Sequence, residues 1–251
     1  RKEKRARLTR RAILGAGGLA IVGVGGAMYL DSRGRVRLEG GTIVSEKAGT
    51  SGVPGPVLAD GSWTFGGSLK PGSVASDATI VEVFFDYACH FCANFEALHA
   101  DEINRLVKDG KITLALHPCK ILDQNWTDIV MNAMGLVLDR QPEVALTFHN
   151  AALALFSEIF ASRDASRQTV DELADTAKKV GVSQDVVDSF EKAVNDNTYG
   201  KWTEAGTNAF KDKKLSATPT VFLADTQLNL QAVATATALT EAGYVGEDVE
   251  N

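Results

Sequence analysis

The apolar residues of this chain fall into three patterns. Residues 12–30 run for 19 positions without a charged side chain. As a helix that run is about 28 Å long, roughly one hydrocarbon core. Residues 79–85, Thr-Ile-Val-Glu-Val-Phe-Phe, are mostly β-branched or aromatic and apolar on both faces, which predicts a central strand. From 89 to 107, Phe91, Phe95, Leu98, Ile103 and Leu106 recur near the helical period, and Gly110 ends the run. A second strand is predicted over 112–116, closed by His117-Pro118. Strand, helix, strand in that order predicts a right-handed crossover between parallel strands.

Helical spacing then dominates residues 124–212. Separate helices are predicted over 125–140, 142–160, 169–180, 183–195 and 199–210, with Leu136, Val137, Phe148 and Phe156 as core positions. Pro142 suits a first helical turn. Thr169 and Glu172 have the spacing of a capping box, and Gly181 that of a helix stop. A third strand is predicted over 220–224, after Pro219, and a short helix near 238–243. Residues 31–77 are rich in Gly and Ser and contain Pro54, Pro56 and Pro71, so they read as a connector, with a short strand at Trp63-Thr64-Phe65. The globular body is expected from 78 to 251.

Charge divides the chain unevenly. Residues 1–37 carry ten Lys/Arg against two Asp/Glu, while the whole chain has a net charge of −6. The body is therefore acidic, which argues against a nucleic-acid partner. Seven of the ten basic residues lie in 1–11, before the apolar run, and Arg33, Arg35 and Arg37 lie beyond it. This asymmetry predicts a cytoplasmic tail over 1–11, a single transmembrane anchor over 12–30, and a body outside the cytoplasm. Thr9-Arg10-Arg11-Ala12-Ile13-Leu14 is also similar to a twin-arginine export signal, with Gly25 and Ala27 small enough to precede a cleavage site. Both readings export the body. On a helix, Ala12, Ala16, Ala20, Gly23 and Ala27 share one small-residue face, which in lipid admits a close helix partner.

Candidate chemistry sits at Cys89-His90-Phe91-Cys92. Two cysteines three apart on a first helical turn can form a disulfide. The outer one, Cys89, meets unpaired backbone N–H groups and the positive end of the helix dipole, which favour thiolate. Cys92, one turn in, is placed to resolve a mixed disulfide. A purely structural bridge closing so short a loop gains little chain entropy. There is no second CxxC, and His99, His117 and His149 form no ligand pair with the cysteines. No metal and no cofactor is expected.

With Phe84-Phe85-Asp86-Tyr87-Ala88 leading into the cysteine motif, Asp109-Gly110-Lys111 before a strand, and Ser216-Ala217-Thr218-Pro219-Thr220 before another, the chain resembles the thioredoxin-fold oxidoreductases of the DsbA type, in particular the DsbA-like group of Gram-positive cell envelopes. The resemblance covers residues 78–224 and implies an α/β thioredoxin fold, with 124–212 as the helical insertion typical of the group. It implies that Cys89 attacks and Cys92 resolves. It also implies that Pro219 is cis beside Cys89, and that Thr218 offers backbone hydrogen bonds to an extended peptide. His90 and Phe91 would border the bound substrate. Strong oxidants of the family commonly have Pro then His between the cysteines; His90-Phe91 departs from that, which leaves the direction of function open. The tail after Ala224 also departs from the family pattern: the usual hairpin strand and closing helix are not evident there.

The reading is a membrane-anchored, extracytoplasmic thiol–disulfide oxidoreductase. Its substrates would be protein thiols or disulfides, and a membrane redox partner would recycle it. The alternative is a thioredoxin-fold accessory subunit of a larger membrane complex, with redox activity secondary or lost. Glu82 is expected at a strand edge or as a proton relay beneath the cysteines. Asp86 and Glu96 are expected as solvated charges, in helix-turn contacts, or as groups opposing the thiolate. Cys119 is expected as a buried small hydrophobe, and His117 in turn packing.

Overall fold

The computed structural model describes residues 21–23, 26–30, 36–39, 51–76, 78–224 and 226–230. Three short strands come first: β1 (Ile21–Gly23), β2 (Gly26–Leu30) and β3 (Val36–Glu39). They form a separate antiparallel sheet in that order. Part of the run expected as a spanning helix is thus extended. Its β-branched Ile21 and Val22 and its glycines are weak helix formers. Residues 12–20, with Ala12, Ala16 and Ala20, lie outside the described residues.

The body is built on a five-stranded sheet. Its strands are β4 (Trp63–Gly66), β5 (Thr79–Phe85), β6 (Ile112–Pro118), β7 (Thr220–Leu223) and β8 (Thr226–Gln227), in the order β4-β6-β5-β7-β8. β5 and β6 run parallel, with Thr79 opposite Ile112 and Phe85 opposite Pro118. The predicted crossover between them is α1 (His90–Lys108). β4 and β7 are antiparallel to their neighbours. The sheet therefore begins ahead of residue 78, within the expected connector. Trp63 and Phe65 are fully buried, and four residues of strand suffice because both faces are covered. The chain is fastened even earlier: the Gly52 carbonyl accepts from the Trp202 N–H at 3.0 Å, and the Gly55 N–H donates to Asp139 Oδ1 at 2.7 Å.

The helical insertion is α2 (Asn125–Arg140), α3 (Ala145–Ser162), α4 (Val170–Lys179), α5 (Gln184–Val187), α6 (Phe190–Asn195) and α7 (Gly200–Asp212). Pro142–Val144 is a 3-10 turn rather than the start of α3. The single helix predicted over 183–195 is two, broken at Asp188 and Ser189. The Thr169 hydroxyl caps α4 by accepting from the Glu172 N–H at 3.2 Å. Glu172 does not complete the box; its carboxylate grips the Arg167 guanidinium with two contacts of 2.9 and 3.0 Å.

Residues Pro142–Ser162 are long and apolar enough to cross a bilayer, yet half of their most apolar 18-residue window is buried within the body. Leu136, Val137, Phe148 and Phe156 all join the main core, together with Val81, Val83 and Phe85 of β5. Phe84 points to the other face and packs with Cys119 and Phe210 of α7. There α7 comes very close to the sheet. A Cβ on Gly206 would lie 1.9 Å from the Pro118 carbonyl oxygen. A two-residue β8 pairs with β7 where the sequence offered no strand pattern. The helix expected near 238–243 lies outside the described residues.

Candidate active site

Cys89 ends the turn that leaves β5 and is the N-cap of α1, with φ −101° and ψ 112°. Its own N–H donates to the Asp86 carbonyl at 3.0 Å, and its carbonyl accepts from the N–H groups of Cys92 and Ala93 at 3.1 Å each. The helix therefore begins at the cysteine motif, which puts the N–H groups of its first turn, Phe91 and Cys92, near the Cys89 sulfur. As a thiol, Cys89 Sγ donates to the Thr218 carbonyl at 3.3 Å, across 129 positions of sequence. The Thr218–Pro219 peptide is cis. The two motifs, far apart in sequence, thus meet.

The two sulfurs are chemically unequal. The Cys92 thiol hydrogen-bonds to Cys89 and does most to lower the Cys89 thiol from 9.0 to about 6. Burial opposes this, and the Thr218 side chain and the N–H groups of Cys92 and Phe91 assist it. Cys92 moves the other way. It is 2% exposed, burial pushes its thiol well above the usual range, and the hydrogen bond to Cys89 adds to that. Cys89 is the thiolate at neutral pH and Cys92 the thiol.

The dipeptide between them lies at the rim. Phe91 is 62% exposed. The His90 ring stacks on Phe160 of α3, with centroids 4.2 Å apart and planes 3° apart. It also touches Phe91, at 3.9 Å and 38°. His90 is not among the groups that lower the Cys89 thiol.

Asp86 is not solvated; it is wholly buried and makes turn contacts. Its carboxyl oxygens accept from the N–H groups of Ala88 (3.0 Å), Ile121 (2.8 Å) and Leu122 (3.0 Å) and from the Thr127 hydroxyl. This one side chain ties the turn entering the cysteine motif to the loop after β6 and to α2. Asp86→Asn leaves a donor facing donors, at about 2–3 kcal/mol. The expected result is a lowered urea midpoint with an unchanged slope; an unchanged midpoint contradicts the pinning role.

Glu82 lies on the face of β5 away from the cysteines, 2.9 Å from Lys213 Nζ and 3.2 Å from His117 Nε2. Burial raises its pKa, but these two neighbours more than offset that and leave it lowered. It is a strand carboxylate, not a relay. His117 lies within β6 and stacks on Phe84 at 4.1 Å. Glu96 is mostly covered and faces His149 Nε2 at 3.8 Å, while His149 Nδ1 shares a 2.9 Å hydrogen bond with the Tyr87 hydroxyl. Cys119 is buried, its thiol donates to the Phe85 carbonyl at 3.2 Å, and burial pushes its pKa far up. Phe160 escaped the sequence reading because nothing local distinguishes it from any other apolar residue ending a helix.

A family model described as Thioredoxin matches residues 66–242. No curated protein matches the chain. Among solved structures, the chain is similar to the MdbA thiol–disulfide oxidoreductase of Actinomyces oris, at 47% identity over 79% of this chain and 94% of that one, with a TM-score of 0.73. The MdbA oxidoreductase of Corynebacterium diphtheriae has 16% identity over 72% of this chain and 93% of that one, at 0.56. BdbD of Bacillus subtilis has 18% identity over 77% and 95%, at 0.56. The last two show the fold. The sulfur pair at a helix mouth, the cis-proline loop beside it, the inserted helices and the Actinomyces likeness agree: the chain belongs to the thioredoxin family, as a DsbA-like thiol–disulfide oxidoreductase.

Proposed function

We propose that this enzyme oxidises protein cysteines outside the cytoplasm while tethered to the membrane, with Cys89 as the sulfur that substrates attack. The observation that carries this is the lowered Cys89 thiol beside Thr218. A substrate thiolate attacks Cys89 Sγ of the Cys89–Cys92 disulfide. The disulfide breaks, and Cys92 leaves with the electron pair and takes up a proton, as its raised pKa favours. A second substrate thiolate then attacks the substrate sulfur of the mixed disulfide and expels Cys89 as a stable thiolate. The substrate loses two electrons and gains a disulfide; the enzyme pair gains them. A membrane redox partner removes those electrons to reset the enzyme. Thr218 and Pro219 form the wall along which an extended peptide lies, and His90 and Phe91 the opposing rim.

The tether rests on the uncharged run over 12–30 and the seven basic residues before it. A small sheet with open edges leaves backbone groups unpaired, which lipid does not tolerate; in a bilayer the same run satisfies its backbone as a helix. Its small-residue face, Ala12, Ala16, Ala20, Gly23 and Ala27, then serves a helix partner.

A stabilised Cys89 thiolate favours the reduced pair and so makes the disulfide oxidising. The test is the potential of the Cys89–Cys92 couple against glutathione. A value between about −230 and −120 mV is expected, and one at or below about −270 mV overturns the oxidant assignment.

A further inference from the structure

The dipeptide between the cysteines is held by a residue from a different part of the fold. His90 is the first residue of α1, immediately after Cys89. A histidine next to a cysteine stabilises thiolate where its imidazole donates to the sulfur. Its ring instead lies flat on Phe160, 70 residues on and near the end of α3. Phe160 is 53% exposed, so its phenyl ring is not a filled core position. It is nevertheless the outer member of an aromatic series: Phe156 follows at 6.3 Å and Trp126 beyond that at 6.5 Å. Phe91 covers another side of the imidazole. The ring is therefore braced against the helical insertion.

We propose that Phe160 is a positioning residue that holds the His90 imidazole against α3 and clear of the Cys89 sulfur, and thereby limits how oxidising the cysteine pair is. The inference rests on Cys89 being the reactive thiolate. The groups that stabilise that thiolate are Cys92, Thr218 and backbone N–H groups. Freeing the imidazole therefore adds one more thiolate-stabilising group to that set.

The test is thiolate absorbance at 240 nm against pH in the reduced full-length chain, with the glutathione equilibrium measured alongside. Phe160→Ala is expected to lower the Cys89 midpoint by about one unit and to shift the glutathione equilibrium toward the reduced pair. Phe160→Tyr, which keeps the stack, is expected to retain the wild-type midpoint. His90→Ala, and His90→Ala combined with Phe160→Ala, are expected to titrate like wild type. A wild-type midpoint in Phe160→Ala overturns the proposal. So does a double variant that shifts as far as Phe160→Ala, because the effect then bypasses His90. A wild-type chain with no midpoint near 6 removes the reading of Cys89 itself, a separate failure.

Discussion

Cys89→Ser is expected to abolish disulfide exchange, because neither remaining thiol can substitute. At pH 7 a thiol titrating near 6 is about 90% thiolate, whereas one above 9 is under about 1%. Cys92 and Cys119 both lie on the far side of that divide, raised chiefly by burial. Thiolate fraction alone thus implies a loss of more than about a hundredfold. Insulin reduction and reoxidation of a reduced substrate are the measurements. Cys92→Ser should behave differently: Cys89 still attacks, nothing resolves the adduct, and a mixed disulfide accumulates on non-reducing gels. Alkylation of the wild type should rise between pH 5 and 7, because deprotonation creates the nucleophile, and then level off. Exchange that survives Cys89→Ser at wild-type rate would refute the assignment of roles.

Gly206→Ala is expected to destabilise the fold strongly, although it lies in a helix. At an exposed helical site, exchanging glycine for alanine gains about 1 kcal/mol. Here the sign reverses. The new methyl would sit 1.9 Å from the Pro118 oxygen and 3.1 Å from its carbon. Both are backbone atoms of a central strand, so no rotamer change relieves the overlap. Moving α7 outward would disturb the Thr207 hydroxyl that accepts from the Lys120 N–H at 3.0 Å, and the Trp202 indole that donates to the Gly61 carbonyl at 2.8 Å. Overpacking of this kind costs about 3 kcal/mol, which for a domain this size is a Tm lower by roughly 6–12 °C. A Tm equal to or above wild type would show that α7 yields freely.

The sequence made the catalytic half of the fold legible because its signals are local. β5 and α1 follow from side-chain type and period, and the first cysteine was placed at the helix mouth by spacing alone. The Thr218–Pro219 loop came from the family resemblance, and the structure brings it to Cys89. What escaped depends on contacts between distant positions. Asp86 looks like an ordinary polar residue until the loop at 121–122 and Thr127 close over it. Glu82 interrupts a strand in a way that suggests a buried acid, yet strand register turns it toward Lys213. β4 was read as a short strand within a connector, because glycines and prolines mask its attachment to β6. β8 is too short to carry a period.

That attachment changes how far the enzyme can reach. If the chain were free from residue 31 to 77, its sulfur pair could roam at most roughly 160 Å from the bilayer. Because the strand at 63–66 and the hydrogen bonds from Gly52 and Gly55 bind the later part to the body, only residues 31–50 separate it from the proposed span. Fully drawn out, that leash measures at most roughly 70 Å. On the proposed tether, that lead would hold the sulfur pair within this distance of the membrane.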